Sequence, residues 1–205
     1  MGSALLAPGM EVRRADGRQS SRLSWLDSKH SFSLDSGGRS GVIYPGLAQR
    51  MSAGTGILHS GKNDTYRSAD RPPADPVHFV QVWVVPDEAG VTPGYEQLEI
   101  DAELLSGGLV TVASGMDRHR GASAIRIRNR HAALYAARLG PGQHVPLPEA
   151  PYLHLFVARG SVDLEGAAVL REGDAARFTA TGGHRVRASG PAEILVWEMH
   201  ATVTL

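Results

Sequence analysis

The feature that most constrains this chain is an internal echo. The stretch from Gly41 to Asn63, GVIYPGLAQRMSAGTGILHSGKN, returns in part as Glu172-Gly173-Asp174-Ala175-Ala176-Arg177-Phe178-Thr179-Ala180. Aligning Gly46 with Gly173 pairs Ala48 with Ala175, Arg50 with Arg177, Met51 with Phe178, Ser52 with Thr179 and Ala53 with Ala180. A turn glycine followed by a strand-like run, twice in one chain, is the mark of a duplicated β-unit. The 205 residues therefore divide into two lobes rather than one large sheet. We place a leader at 1–10, a first lobe at 11–115 and a second at 116–205.

The two copies are not equally furnished. Before Gly173 the chain offers a long series of strand-like segments, from Leu139 through His154-Leu155-Phe156-Val157 and Val162-Asp163-Leu164 to Val169-Leu170. Before Gly41 there is only a short stretch. Trp25, Leu26, Phe32 and Leu34 sit there among polar residues, and Phe32 and Leu34 alternate with serines as in a half-buried strand. Asp35 to Ser40 reads as a turn. The first lobe thus lacks several strands that its twin possesses. It is expected to lean on the second lobe, stay partly open, or pair its bare edges with another chain.

After Asn63 the prolines at 72, 73 and 76 mark a loop from Asp64 to Pro76, and His78 to Pro86 then reads as a strand covered on both faces. Tyr95 to Ile100 and Leu109 to Ala113 read as further strands, with a short helical turn at Asp101 to Leu105. From about Ala124 onward, short β segments alternate with Pro141-Gly142, Gly160, Gly166, Gly182-Gly183 and Gly190-Pro191. That spacing belongs to a sandwich or barrel.

Composition removes several functions. With no cysteine, disulfides, thiolate metal sites and a cysteine nucleophile are excluded, so a metal would need histidine and carboxylate. Lysine and arginine number 21 against 21 aspartates and glutamates, which provides no global field for nucleic acid or an anionic membrane. No apolar run approaches the ~20 residues of a membrane-spanning helix. Met1 to Met10 lacks the basic start and apolar centre of a signal peptide, so a cytoplasmic protein is expected.

Two groups of residues could carry chemistry. His59 follows a glycine-broken loop and lies between hydrophobic and polar neighbours, in the spacing G-x2-H-x3-N from Gly56 to Asn63. One imidazole cannot hold a redox metal, which needs several converging donors and an open position. His78 is the nearest candidate for a second nitrogen, although a histidine on an apolar strand more commonly serves the core. The second group is a basic stripe, Arg118-His119-Arg120 followed by Arg126, Arg128 and Arg130-His131, whose last three arginines would share one face of a strand. Such a row could meet phosphates or an acidic protein surface, or simply form a solvated outer face. His144, His154, His184 and His200 show no H-x-H pattern and no carboxylate at ligand spacing, and read as scaffold.

The G-x2-H-x3-N phrase resembles the second motif of the cupin superfamily. Ser24 to Ser33 (SWLDSKHSFS), Tyr44-Pro45-Gly46, the run Gln49 to Gly56, His59-Ser60, Val80 to Trp83, Tyr95-Glu96-Gln97 and His154 to Val157 with Gly160 together resemble the pirin family, in the family's order. The resemblance implies an all-β bicupin: two double-stranded β-helix, or jelly-roll, lobes with the N-terminal lobe incomplete here. It implies a metal, usually iron, in the first lobe alone, and His59 as the third metal-binding histidine. It also implies quercetin 2,3-dioxygenase-type chemistry on a flavonol, or another small aromatic ligand, in bacterial members and a regulatory role in animal ones. Two departures bear on that chemistry. The H-P-H-R-D-x-E segment that supplies two histidines is absent, and Gly61 occupies the position of the family's glutamate ligand. The expectation is an oxygenase relative with iron, or another divalent metal, weakly held and activity weak or lost. The alternatives are a non-catalytic regulatory or interaction scaffold, with a protein partner or a second copy on exposed first-lobe strands, and a decayed or engineered deletion product.

Overall fold

The computed structural model describes residues 10–13, 23–24, 31–35, 38, 40–63, 79–122 and 124–201. Trp25, His30, His78 and the loop of 64–76 lie outside the described residues. No helix among the described residues is long and apolar enough to cross a membrane.

Two facing sheets are built mostly from the second half of the chain. One is seven-stranded. Its order begins with β1 (Met10–Arg13), β16 (Ala175–Thr179), β13 (Tyr152–Arg159) and β18 (Ala192–Met199), and ends with β11 (Ala132–Leu139), β9 (Val110–Ser114) and β10 (Ile125–Arg126). The other is four-stranded, in the order β12 (His144–Pro146), β17 (Arg185–Ala188), β14 (Ser161–Leu164) and β15 (Val169–Arg171). The four-stranded sheet alternates: Val162, Leu164, Val186 and Ala188 are buried while Asp163, Arg185 and Arg187 face water. Such alternation means that one face is packed and one is wet. Strand β11 instead buries all but one of its residues, and β18 buries five of eight with the other three half-buried, because their sheet is covered on both faces. Ala133, Tyr135, Ala137, Ile194 and Val196 pack toward the four-stranded sheet in the main core, with Leu155 and Phe178. Leu134, Ala136 and Leu195 form a second core on the opposite side with Ala48, Ile100 and Leu104.

That second core is where the first half of the chain docks. The helical turn α1 (Asp101–Leu104) inserts Leu104, and its Asp101 meets Arg138 of β11 at 2.9 Å. Gly46 permits this approach, because its φ of +81° is open to glycine and a side chain there would begin 2.5 Å from Asp101 Cβ. Gly173 has the same left-handed φ, +84°, and likewise leads into a strand, so the two copies of the echo share their turn. They do not share their surroundings. β16 lies inside the seven-stranded sheet, whereas among the described residues its counterpart β5 (Leu47–Ser52) pairs with β8 (Gly94–Glu99) alone.

The rest of the first half forms two more small sheets. β3 (Ser31–Asp35) lies between β4 (Ser40–Ile43) and β6 (His59–Asn63), and β2 (Leu23–Ser24) pairs with β7 (Phe79–Val80). The bicupin architecture holds, but these sheets of two and three strands do not close into a barrel. Closure requires enough tilted strands to return the last to the first, and the described first half falls short. The expected covered strand of 78–86 is corrected for the same reason. Of the described residues 79–86 only Phe79–Val80 is strand, while Trp83 and Val85 are 86% and 59% exposed. An apolar run becomes a buried strand only where neighbours cover it.

Candidate functional site

His59 opens β6, with Asp35 of β3 directly opposite in the strand register and Gly61 opposite Ser33. Its side chain is exposed. Among the described residues no three histidine, aspartate or glutamate side chains are grouped as a metal ion requires. The described residues around His59 do not fit a mononuclear metal centre, which needs several converging donors.

The second half carries a polar cluster that sequence reasoning missed. Glu198 lies on β18 at the same parity as Ala192, Ile194 and Val196, so its carboxylate enters the main core and is fully buried. Tyr135 on β11 donates its hydroxyl to Glu198 Oε2 at 2.7 Å, Arg118 donates to the same oxygen, and His200 Nε2 lies 2.5 Å from Oε1. His119 completes the group, with Nδ1 2.8 Å from Ser114 Oγ and its ring edge-on to Tyr135. Burial pushes the Glu198 carboxyl up, but hydrogen bonds from Arg118, His200 and Tyr135 outweigh it and hold the carboxyl below its usual range. Burial, and then the hydrogen bond to Glu198, push the Tyr135 hydroxyl up to about 12. Burial and the charge of Arg118 push the His119 imidazole down, which favours its neutral form. Two readings are corrected here. Arg118 is not part of an outward stripe but turns in from a 3-10 turn at Asp117–His119. His200, read as scaffold without a carboxylate at useful spacing, touches one two residues away. The available signal was a glutamate in step with Ala192, Ile194 and Val196, the inward positions of a largely apolar strand.

Arg126, Arg128 and Arg130 line a cleft between the two halves. β10 ends at Arg126, so Arg126, Arg128 and Arg130 do not form the single strand row expected from their spacing. All three nonetheless face one cleft of ≈ 470 Å³, joined by Arg50 of β5 and by Asp87 and Glu88. Arg128 and Arg130 lie 3.7 Å from Glu88 and Asp87 respectively. Asp87 also accepts the Arg130 backbone N–H at 2.7 Å, and its own N–H donates to the Arg128 carbonyl at 2.7 Å. The segment around 87 is thereby fixed along the cleft wall. Arg126 donates to the carbonyls of Met116 and Gly115 at 3.2 and 3.3 Å.

Comparison with known proteins places this geometry. Residues 12–84 match the model for Pirin, and residues 111–199 match the Quercetinase C-terminal cupin domain. A protein of Mycobacterium tuberculosis named "Putative quercetin 2,3-dioxygenase" is 44% identical, with 94% of this chain and 96% of that protein covered. A 68-residue stretch is 44% identical to quercetin 2,3-dioxygenase of Escherichia coli, covering 33% of this chain and 26% of that protein. The crystal structure of YhhW from Escherichia coli superposes with a TM-score of 0.71 at 24% identity, covering 95% of this chain and 74% of that one. The nickel(II) complex of that bacterial pirin gives 0.70 at 20% identity, with 98% and 79% covered. The mycobacterial alignment extends over 242 positions, more than the 205 residues present here, so that relative carries an internal stretch with no counterpart in this chain. With both family models in order along the chain and a full-length relative at this identity, the chain belongs to the pirin family of cupins.

Proposed function

We propose that this chain keeps the pirin scaffold of quercetin 2,3-dioxygenase-type oxygenases while its first-lobe metal centre is reduced to His59, leaving flavonol turnover weak or absent. The observation that carries this reading is the placement of His59. It stands exposed at the start of a three-stranded sheet, away from any described group of potential ligands. The internal stretch present in the mycobacterial relative and missing here supports it, as does Gly61 at the position where the family resemblance implies a glutamate. With one donor in place, no oxygenase step is assigned to these residues. The test is bound iron, nickel, copper and zinc per chain, with oxygen uptake on quercetin, in the protein and in His59→Ala. Metal well below one per chain in both, with no quercetin-dependent uptake, agrees with the proposal. Near-stoichiometric metal that disappears in His59→Ala would overturn it.

A second reading, a scaffold that binds another chain, is favoured by one observation. Leu58, Trp83 and Val85, all in the first half, are 79%, 86% and 59% exposed, and exposed large hydrophobics near open strand edges suit association. Light scattering over a concentration series decides between a monomer and a self-associating chain.

A further inference from the structure

We propose that the cleft between the two halves is a binding site for a small organic anion, a carboxylate or a phosphate, with Arg126 as its principal cation. This rests on charge pairing inside the cleft and is independent of His59.

Four guanidinium groups face the cleft, those of Arg50, Arg126, Arg128 and Arg130. Three are already matched with acids: Arg50 with Glu96 at 3.1 Å, Arg128 with Glu88 and Arg130 with Asp87. Arg126 differs. Its acceptors are two backbone carbonyls, which satisfy hydrogen bonds without neutralising the charge. Of its five N–H donors, carbonyl bonds to NH1 and NH2 leave others available. Asp117 also lines the cleft and feels the Arg126 charge, but its close ion pair is with Arg120, at 2.6 Å. Among the described residues Arg126 is thus the one guanidinium of the cleft with no carboxylate in ion-pair contact, and its planar donors match the oxygens of a carboxylate or phosphate.

Two further features fit a ligand rather than a solvated face. The volume, ≈ 470 Å³, lies within the range of small-molecule pockets, ~300–1,000 Å³. The Arg128 and Arg130 pairs are loose, at 3.7 Å, so both cations can turn toward an incoming anion without breaking close hydrogen bonds. β10 packs against β5 and β8, which brings the walls bearing Arg126 and Arg50 together. The site therefore exists only when both halves are docked.

Isothermal titration of the full chain with benzoate and with inorganic phosphate at low salt tests the proposal, alongside Arg126→Gln, Arg128→Gln and Glu88→Gln. Saturable binding of either probe is expected, weakened tenfold or more in Arg126→Gln and severalfold in Arg128→Gln. Glu88→Gln, which removes a competing carboxylate, should tighten binding severalfold, a gain that loss of structure cannot mimic. Arg128 is half exposed, so its variant keeps the test valid if Arg126→Gln loosens the fold. Binding of benzoate alone assigns carboxylates, and of phosphate alone phosphates. No saturable binding of either probe, or equal affinities in all four proteins, would overturn the proposal.

Discussion

Removing Arg118 should cost more than neutralising Glu198. The two residues form one ion pair with unequal surroundings. The Glu198 side chain is 0% exposed and that of Arg118 49%. In Arg118→Ala the carboxylate is left in the core with only Tyr135 and His200 to hold it. Breaking a buried pair in this way costs ~3–5 kcal/mol. The two remaining donors and the half-exposed position of Arg118 put this case at about 3 kcal/mol. In Glu198→Gln no charge is stranded, because Arg118 can turn to water, and the weakened hydrogen bonds cost about 1 kcal/mol. The double variant should resemble Glu198→Gln alone, giving a coupling of about 3 kcal/mol. In a chain of this size 1 kcal/mol moves Tm by ~2–4 °C, so scanning calorimetry of the four proteins separates these cases.

The acid limb gives an independent check. In the native protein the folded carboxyl titrates below its ordinary value of 4.5. Its contribution to stability is complete above about that pH and is lost as pH falls through the lower folded value. In Arg118→Ala burial dominates and the carboxyl rises, so the sign reverses and mild acid should stabilise the variant. If Arg118→Ala melts together with the native protein at pH 7, or keeps its acid profile, the assignment of Arg118 as the group that holds the buried charge is wrong.

Other perturbations follow from packing. Gly160→Ala should destabilise by about 2 kcal/mol or more, because φ there is +75° and the new Cβ would sit 2.2 Å from the Pro191 carbonyl oxygen. Denaturant midpoints check this. Phe178→Ala, in the main core at 1% exposure, should cost ~3–5 kcal/mol, visible in the same titration. Trp83→Ser should leave stability within ~0.5 kcal/mol and reduce any concentration-dependent association seen by light scattering, since Trp83 is 86% exposed.

The sequence disclosed the parts of this molecule whose rules are local. Turn glycines announced Gly46 and Gly173, alternation announced β3 and β8, and the short helical turn at Asp101 was visible from its neighbours. The family resemblance rested on phrases such as Gln49 to Gly56 that survive in order. What stayed hidden depends on the environment. The run from His78 reads as a covered strand in any window, yet a window cannot show that no described strands lie on both sides of it. Arg118 looked like a surface charge because its partner is 80 positions away on another strand. The Arg126 cleft could not be foreseen either, because Arg50 and Arg126 come to line one cleft only where the β5–β8 sheet packs against β10 of the large sheet. His59 shows the converse: its local phrase is intact while the surroundings that would give it chemistry are not among the described residues.

The pairing of β1 with β16 has a consequence for how the chain folds. Met10 lies opposite Phe178 and Arg13 opposite Ala175, so the outermost strand of the seven-stranded sheet comes from the opposite end of the sequence to its neighbour. During synthesis β1 emerges early and must wait for almost the whole chain before its partner exists. Closing so long a loop is entropically slow, and contacts of this separation dominate the rates of β proteins. Until it closes, β16 presents an unpaired edge to every other nascent copy. Docking of β1 onto β16 therefore waits until both strands have been made, and crowding of unfinished chains competes directly with it.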